Sequence, residues 1–315
     1  MVSFFFCALC YSGCSGPENT LRVKNEIGNN TAESEKGRLL VATCQFPICG
    51  DISANGEWIR RQMHQAHKRN ADIAHFPECA LSGYAIGDHN GTLESFDWER
   101  QRAELKSILE LAKELELWVV LGATHPLSGD NKPHNSLYLI SSSGKIVDRY
   151  DKRFCTSADL QHYSPGDHFV TFDLKGVKCG LLICYDVRFP ELYREYKKLG
   201  VQLMFHSFYN AREKKTSILS RIIPPTTQAQ AATNYMFLSV SNSCAPPAWQ
   251  SIFIGPDGLI QNRCPRNKPA VMVNLVDTAK RYYDASGPYR RDCMGGKYNS
   301  GDVVEDQRSA DRQCY

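Results

Sequence analysis

Val177-Lys178-Cys179-Gly180-Leu181-Leu182-Ile183-Cys184-Tyr185-Asp186-Val187-Arg188-Phe189-Pro190-Glu191 is the stretch from which the fold of this chain is read. Residues 177–183 are mostly apolar, rich in branched side chains and of strand length, so they predict a buried strand. Residues 191–198 predict a helix, with Pro190 at its start, where a missing N–H costs nothing. Cys184 falls where the strand ends. A side chain there stands at the carboxyl edge of a sheet, where α/β folds hold their ligands. The backbone N–H groups just beyond it point outward and suit an anion. A thiol beside such donors is a candidate nucleophile. The competing reading is a small hydrophobe that fills a strand end.

Outward from this stretch the pattern alternates. Upstream, 169–174 and 177–183 read as a hairpin turned at Lys175-Gly176, and 135–140 with 146–150 as another, joined by Ser141-Ser142-Ser143-Gly144-Lys145. Strands are predicted at 39–46, 73–76 and 118–122, with helices over 55–69 and 98–117 between them. Downstream follow strands at 203–206, 236–240, 250–254 and 271–276. A helix is predicted over 228–234, its backward reach limited by Pro224-Pro225. The β-α-β-α-β start places the chain in the layered α/β class. No linker interrupts residues 39–276, which predicts one domain.

Composition narrows the function classes. The chain has 315 residues, 42% hydrophobic and 23% charged, as ordinary globular proteins do. A net charge of +3 gives no reason to expect nucleic acid or an anionic membrane as partner. The thirteen cysteines are odd in number and scattered, unlike a disulfide framework. They suit a reducing compartment, so a cytoplasmic location is expected. Cys7-Ala8-Leu9-Cys10 is the only Cys-x-x-Cys and has no second pair to complete a zinc site. The first fourteen residues are apolar but too short to span a bilayer. Export as a lipoprotein is the alternative they leave open. Residues 1–37 are expected to be a disordered leader or a misassigned start, and 281–315 a polar tail.

Three chemically capable residues occupy equivalent places. Glu78 follows a strand, Lys152 follows a hairpin strand and Cys184 follows a strand. If those strands lie side by side, the three side chains meet at one edge. A free thiol is only a few per cent thiolate at neutral pH, so it benefits from a base, and Glu78 suits that task. Lys152, with the backbone N–H of Tyr185, suits a developing oxyanion. The alternatives are an exposed loop carboxylate and a solvated hairpin end. His206 lies after a strand at the same edge, either as a pocket donor or as a packed core histidine.

Several motifs, in order, carry a family resemblance: Phe76-Pro77-Glu78 with Ser82-Gly83-Tyr84; Asn135-Ser136, Gly144 and Tyr150-Asp151-Lys152; Ser164-Pro165-Gly166-Asp167; and 183–191. Over residues 38–276 the chain resembles the nitrilase superfamily of carbon–nitrogen hydrolases. The resemblance implies a four-layer αββα sandwich with two mixed sheets over 38–280. It implies Glu78 as acid/base, Lys152 as oxyanion stabiliser and Cys184 as nucleophile, with no metal or organic cofactor. It implies a homodimer as well. Cys184-Tyr185-Asp186 is similar to the amidase and carbamoylase branch rather than to Cys-Trp-Glu nitrilases. The chain departs from relatives where a second glutamate follows the lysine: Asp159 stands there, one methylene shorter. Its late helix reads Gln228-Ala229 and Thr233-Asn234 where relatives carry Arg-Ala and Glu-Asn. Asp186, Arg188 and Glu191 are expected to build the turn rather than hold substrate.

The resulting expectation is hydrolysis of a small linear amide or carbamoyl compound through a thioester on Cys184, with ammonia released. The alternatives are a binding or scaffold protein that kept the fold, and an acyltransferase using the same thioester.

Overall fold

Alternation along the first strands builds two layers of core at once. In β1 (Arg38–Gln45) and β2 (Ile73–His75), Val41 and Ile73 face one side, and Ala42, Cys44 and Ala74 the other. The first set packs against a second sheet. The second set packs against helices α1 (Ile52–His67) and α2 (Trp98–Glu114). The computed structural model describes residues 36–212 and 217–313. Gly37–Tyr315 is one compact unit.

One six-stranded sheet has the order β12-β1-β2-β3-β4-β5, with β3 Trp118–His125, β4 His134–Ile140, β5 Ile146–Asp151 and β12 Ala270–Asp277. The other has the order β11-β10-β9-β8-β7-β6: β6 Thr171–Leu174, β7 Val177–Ile183, β8 Leu203–Phe208, β9 Phe237–Asn242, β10 Ile252–Ile254 and β11 Ile260–Arg263. Each mixes parallel and antiparallel pairs: β1–β2 is parallel and β1–β12 antiparallel, β7–β8 parallel and β6–β7 antiparallel. Helices α3 (Pro190–Lys198) and α4 (Leu219–Asn234) cover the outer face of the second sheet through Leu192, Tyr193, Tyr196, Ile223 and Ala231. This is the expected four-layer αββα sandwich.

Several readings need correction. The strands carrying Glu78, Lys152 and Cys184 do not lie side by side. β2 and β5 are separated by β3 and β4 in one sheet, and β7 belongs to the other. The side chains converge across the sandwich instead. The late helix is not held back by its prolines, for α4 runs through Pro224 and Pro225. The two missing amides would have served the carbonyls of Ser220 and Arg221, residues that are partly or fully exposed and open to water. Strand β11 went unread, because Ile260-Gln261-Asn262-Arg263 is a polar edge strand with little hydrophobic signal. Helix α1 also begins earlier than its apolar pattern, because Asp51 caps it by accepting from the amides of Ser53 and Ala54 at 2.9 and 3.1 Å.

Beyond residue 280, Tyr282 packs edge-on against Phe237, and helix α5 (Gly287–Met294) follows. Arg290 of that helix donates to the Thr233 carbonyl at the end of α4. The expected leader over 1–37 lies almost wholly outside the described residues.

Candidate active site

Each reactive side chain sits just past the end of a strand, where regular pairing stops and local contacts take over. After β2, the Phe76 amide still bonds the Val120 carbonyl at 2.9 Å, then the chain folds over Gly122. A Cβ at Gly122 would stand 2.1 Å from the Pro77 carbonyl oxygen, so only glycine lets the segment approach this closely. The return is closed by Leu81 N–H on the Gly122 carbonyl at 2.9 Å. Lys152 follows β5 and is tied at both ends of its peptide: its N–H donates to Asn135, and its carbonyl accepts from Gly166, each at 2.9 Å.

Cys184 follows β7 with φ of +45°, in the left-handed region that a side chain enters only under constraint. The constraint is Asp186. Its fully buried carboxylate accepts from Ile183 N–H at 3.0 Å, Tyr150 O–H at 2.8 Å and Phe154 N–H at 2.9 Å. Those bonds tie the Cys184 turn to the opposite sheet and to the segment after Lys152. Asp186 is thus part of the turn, as expected. Arg188 and Glu191 are exposed.

The three side chains meet. Lys152 Nζ donates to Glu78 Oε1 at 2.9 Å, and both side chains are 1% exposed. The Cys184 thiol lies beside the Glu78 carboxylate, near enough for it to raise the thiol's pKa. Asn135 Nδ2 donates to Glu78 Oε1 at 2.7 Å, and the Tyr209 amide to Oε2 at 2.8 Å. Asp159 lies in a short 3₁₀ turn (Asp159–Gln161) and reaches Lys152 Nζ with Oδ2 at 2.9 Å. The missing methylene therefore does not prevent contact. Tyr84 O–H donates to the other oxygen of Asp159, and Thr156 N–H to Oδ2 at 2.9 Å.

Electrostatics set the protonation states. Burial disfavours the Lys152 ammonium, but Glu78, Cys184, Asp159 and Tyr84 around it outweigh that and hold its pKa well above the usual lysine value. Burial also opposes the Asp159 carboxylate, yet Lys152 and the Tyr84 and Thr156 donors keep it below the usual range. Burial, with Glu78 alongside, pushes the Cys184 thiol well up, against the pull of Lys152. The thiol is therefore neutral at pH 7 and needs a base to become a nucleophile. Protein atoms crowd Cys184, and the residue as a whole is half-buried. Tyr185 follows and is 37% exposed. Its amide lies in the first turn of the 3₁₀ segment Cys184–Arg188, where N–H groups lack an acceptor within the turn.

His206 does not join this group as an exposed donor. It is fully buried in β8, with Nδ1 2.5 Å from the Tyr193 hydroxyl and its ring stacked on Phe208 at 4.3 Å. Its Nε2 is buried without a hydrogen-bond partner among the described residues. Sequence reasoning assigned no role to Asn135, Tyr84 or Thr156. Asn135 and Tyr84 stand inside motifs already noted, so their signal was present but uninterpreted. Tyr209 acts through its backbone N–H, which any residue carries and no sequence pattern marks.

The fold agrees with comparison to known proteins. Residues 40–282 match the family model described as carbon-nitrogen hydrolase. The chain belongs to the carbon-nitrogen hydrolase family. Among curated members, it is 26% identical over 170 residues to "Nitrilase homolog 2" of Dictyostelium discoideum, covering 50% of this chain and 51% of that one. It is 29% identical over 153 residues to "Omega-amidase NIT2" of Mus musculus, covering 46% and 54%. It is 28% identical over 145 residues to "2-oxoglutaramate amidase" of Bacillus subtilis (strain 168), covering 45% and 54%. The chain thus aligns over about half the length of these carbon-nitrogen hydrolases. Among solved structures, a mutant of the Nesterenkonia AN1 amidase from the nitrilase superfamily superposes with a TM-score of 0.68 at 20% identity, covering 83% of this chain and 98% of that one. At that identity the likeness speaks for the nitrilase-type fold.

Proposed function

We propose that this protein hydrolyses the carbon–nitrogen bond of a small linear amide or carbamoyl compound through a thioester on Cys184. Glu78 takes the thiol proton as sulfur attacks the carbonyl carbon. The carbonyl oxygen becomes an oxyanion held by the Lys152 ammonium and the Tyr185 N–H. As the tetrahedral species collapses, the C–N bond breaks, Glu78 returns the proton to nitrogen, and ammonia leaves. Glu78 then deprotonates a water that attacks the thioester, and the carboxylic acid departs as the thiol is restored.

The observation that carries this reading is the single buried carboxylate of Glu78, bonded by the Lys152 ammonium at 2.9 Å and set beside the Cys184 thiol. A carboxylate placed beside both groups can move the proton both ways. The names of the relatives, an omega-amidase and a 2-oxoglutaramate amidase, favour a linear amide over a nitrile.

Ammonia release across a panel of linear amides tests the proposal, with a mass spectrum of any acyl group on Cys184. Cys184→Ala should lose turnover while keeping its circular dichroism and melting temperature. Turnover retained in that variant would overturn it. The same reading proposes a homodimer, for which the exposed Phe154 and Tyr185 beside the nucleophile's turn offer apolar surface. Light scattering on the purified protein tests that part.

A further inference from the structure

His75 ends β2 and is fully buried between the two sheets, with both ring nitrogens bonded. Nδ1 lies 2.8 Å from Ser239 Oγ, and Nε2 lies 2.9 Å from Ser207 Oγ. Ser239 Oγ lies 2.7 Å from Thr43 Oγ1, and Ser207 Oγ lies 2.9 Å from the Phe76 carbonyl oxygen. Thr43, Ser207 and Ser239 are also fully buried.

Proton counting fixes every role. A carbonyl only accepts, so the one hydroxyl proton of Ser207 goes to Phe76. Ser207 Oγ must then accept from His75 Nε2–H. Burial drives the His75 pKa down to about 3, so the ring is neutral and carries one N–H. Nδ1 therefore accepts from Ser239, whose own oxygen accepts from Thr43. Donation runs one way, from Thr43 through Ser239, His75 and Ser207 to Phe76.

The end of that chain is next to the chemistry. Phe76 lies two residues before Glu78, and Tyr209 lies two residues after Ser207. The Tyr209 amide donates to Glu78 Oε2 at 2.8 Å. The segment leaving β8 thus grips the segment leaving β2 at two points, Ser207 on Phe76 and Tyr209 on Glu78.

We propose that His75 is a positioning residue for Glu78: by aiming the Ser207 hydroxyl at the Phe76 carbonyl, it keeps the Glu78 carboxylate in register with Tyr209, Lys152 and Cys184. This rests on the hydrolytic reading of the site. The competing role is plain core filling, in which an apolar side chain of similar size serves as well.

The full chain is tested as wild type, His75→Leu, His75→Gln, Ser207→Ala and the His75→Leu/Ser207→Ala double variant. Ammonia release gives kcat and KM, and nitrogen-15 spectra give the His75 tautomer. The ring should show the Nε2–H tautomer and no titration between about pH 5 and 8. His75→Leu should lower kcat roughly 10- to 100-fold, as small misplacements of a catalytic group do, with KM changed less than about threefold. His75→Gln, whose amide nitrogen offers a donor near the Nε2 position, should recover most of the loss. The double variant should be no slower than the slower single, since both act through one contact.

An Nδ1–H tautomer, multiplicative losses in the double variant, or a folded His75→Leu within about twofold of wild-type kcat would each overturn the inference. If no His75 variant folds, a folded Ser207→Ala with wild-type kcat overturns it equally. A wild type that releases no ammonia from any amide sinks the proposed function, and the role of His75 in it falls too. An active wild type with indifferent His75 variants sinks the inference alone.

Discussion

The ammonium nitrogen of Lys152 stands 2.9 Å from Glu78 Oε1, and the two residues come from opposite ends of a run of four adjacent strands. Each side chain is 1% exposed, so neither charge is compensated by water. Removing one partner leaves the other stranded. Lys152→Ala leaves two buried carboxylates, Glu78 and Asp159, without their cation. The expected loss of unfolding free energy is about 3–5 kcal/mol, read by urea denaturation at pH 7. A loss under about 1 kcal/mol would mean water reaches the pair.

Glu78→Gln keeps the shape of the side chain and removes its proton chemistry. Asp159 still pairs Lys152 at 2.9 Å, but one end of the new amide faces donors, so a stability cost accompanies the change and is measured by denaturation beside kcat. With no base for a thiol whose pKa burial has raised, kcat should fall roughly 10²–10⁴-fold. Steady-state ammonia release measures this, and a variant with near-normal kcat would remove Glu78 from the mechanism.

Gly122→Ala adds one carbon where the Pro77 carbonyl already sits, 2.1 Å from the new atom. Either the Glu78 segment or β3 must move. Overpacking of this kind costs about 1–3 kcal/mol. A displaced Glu78 should cost more in kcat than the melting temperature suggests. Comparing the two measurements separates displacement from general instability.

Asp186 gives the fold an unusual pH signature. Burial raises its pKa from 3.8 to about 6, partly offset by its three donors. Between those values the folded chain binds the proton more tightly than the unfolded chain. Its contribution is therefore fully present below pH 3.8 and lost as pH rises through about 6. The size is on the order of 3 kcal/mol. Asp159 has the opposite sign: its depressed pKa contributes stability above the usual carboxylate value, and that is lost as pH falls through the folded value. In denaturation series from pH 4 to about 7, Asp186→Asn should remove the fall in stability that the wild type shows with rising pH, since the Asp159 component changes only below that window. An unchanged slope would place the titration elsewhere.

Tyr84→Phe removes the hydroxyl that donates to Asp159. The Asp159 carboxylate keeps Lys152 and Thr156, so the effect should be graded rather than fatal. A stability loss of about 1–3 kcal/mol is expected, from a buried acceptor left short of one bond. It should shrink as pH falls through the Asp159 titration, because the donor stabilises the charged carboxylate and the protonated acid needs it less. A pH-independent loss would assign Tyr84 to packing alone.

Strand periodicity and the placement of Glu78, Lys152 and Cys184 just past strand ends are local properties. The residues themselves therefore determined the layered α/β class and singled out the three candidate reactive groups. The same local rules misjudged α4, where exposed carbonyls tolerate two prolines, and β11, a polar edge strand with little to bury. What only the tertiary structure decided is how the groups meet. Two come from one sheet and one from the other, and the carboxylate is aimed by a backbone N–H of Tyr209, which leaves no mark in the sequence. The reach of Asp159 to Lys152 and the burial of His206 were decided in the same way. Side-chain type is written residue by residue, whereas distance across a sandwich depends on how two sheets stack, and stacking is a property of the whole core.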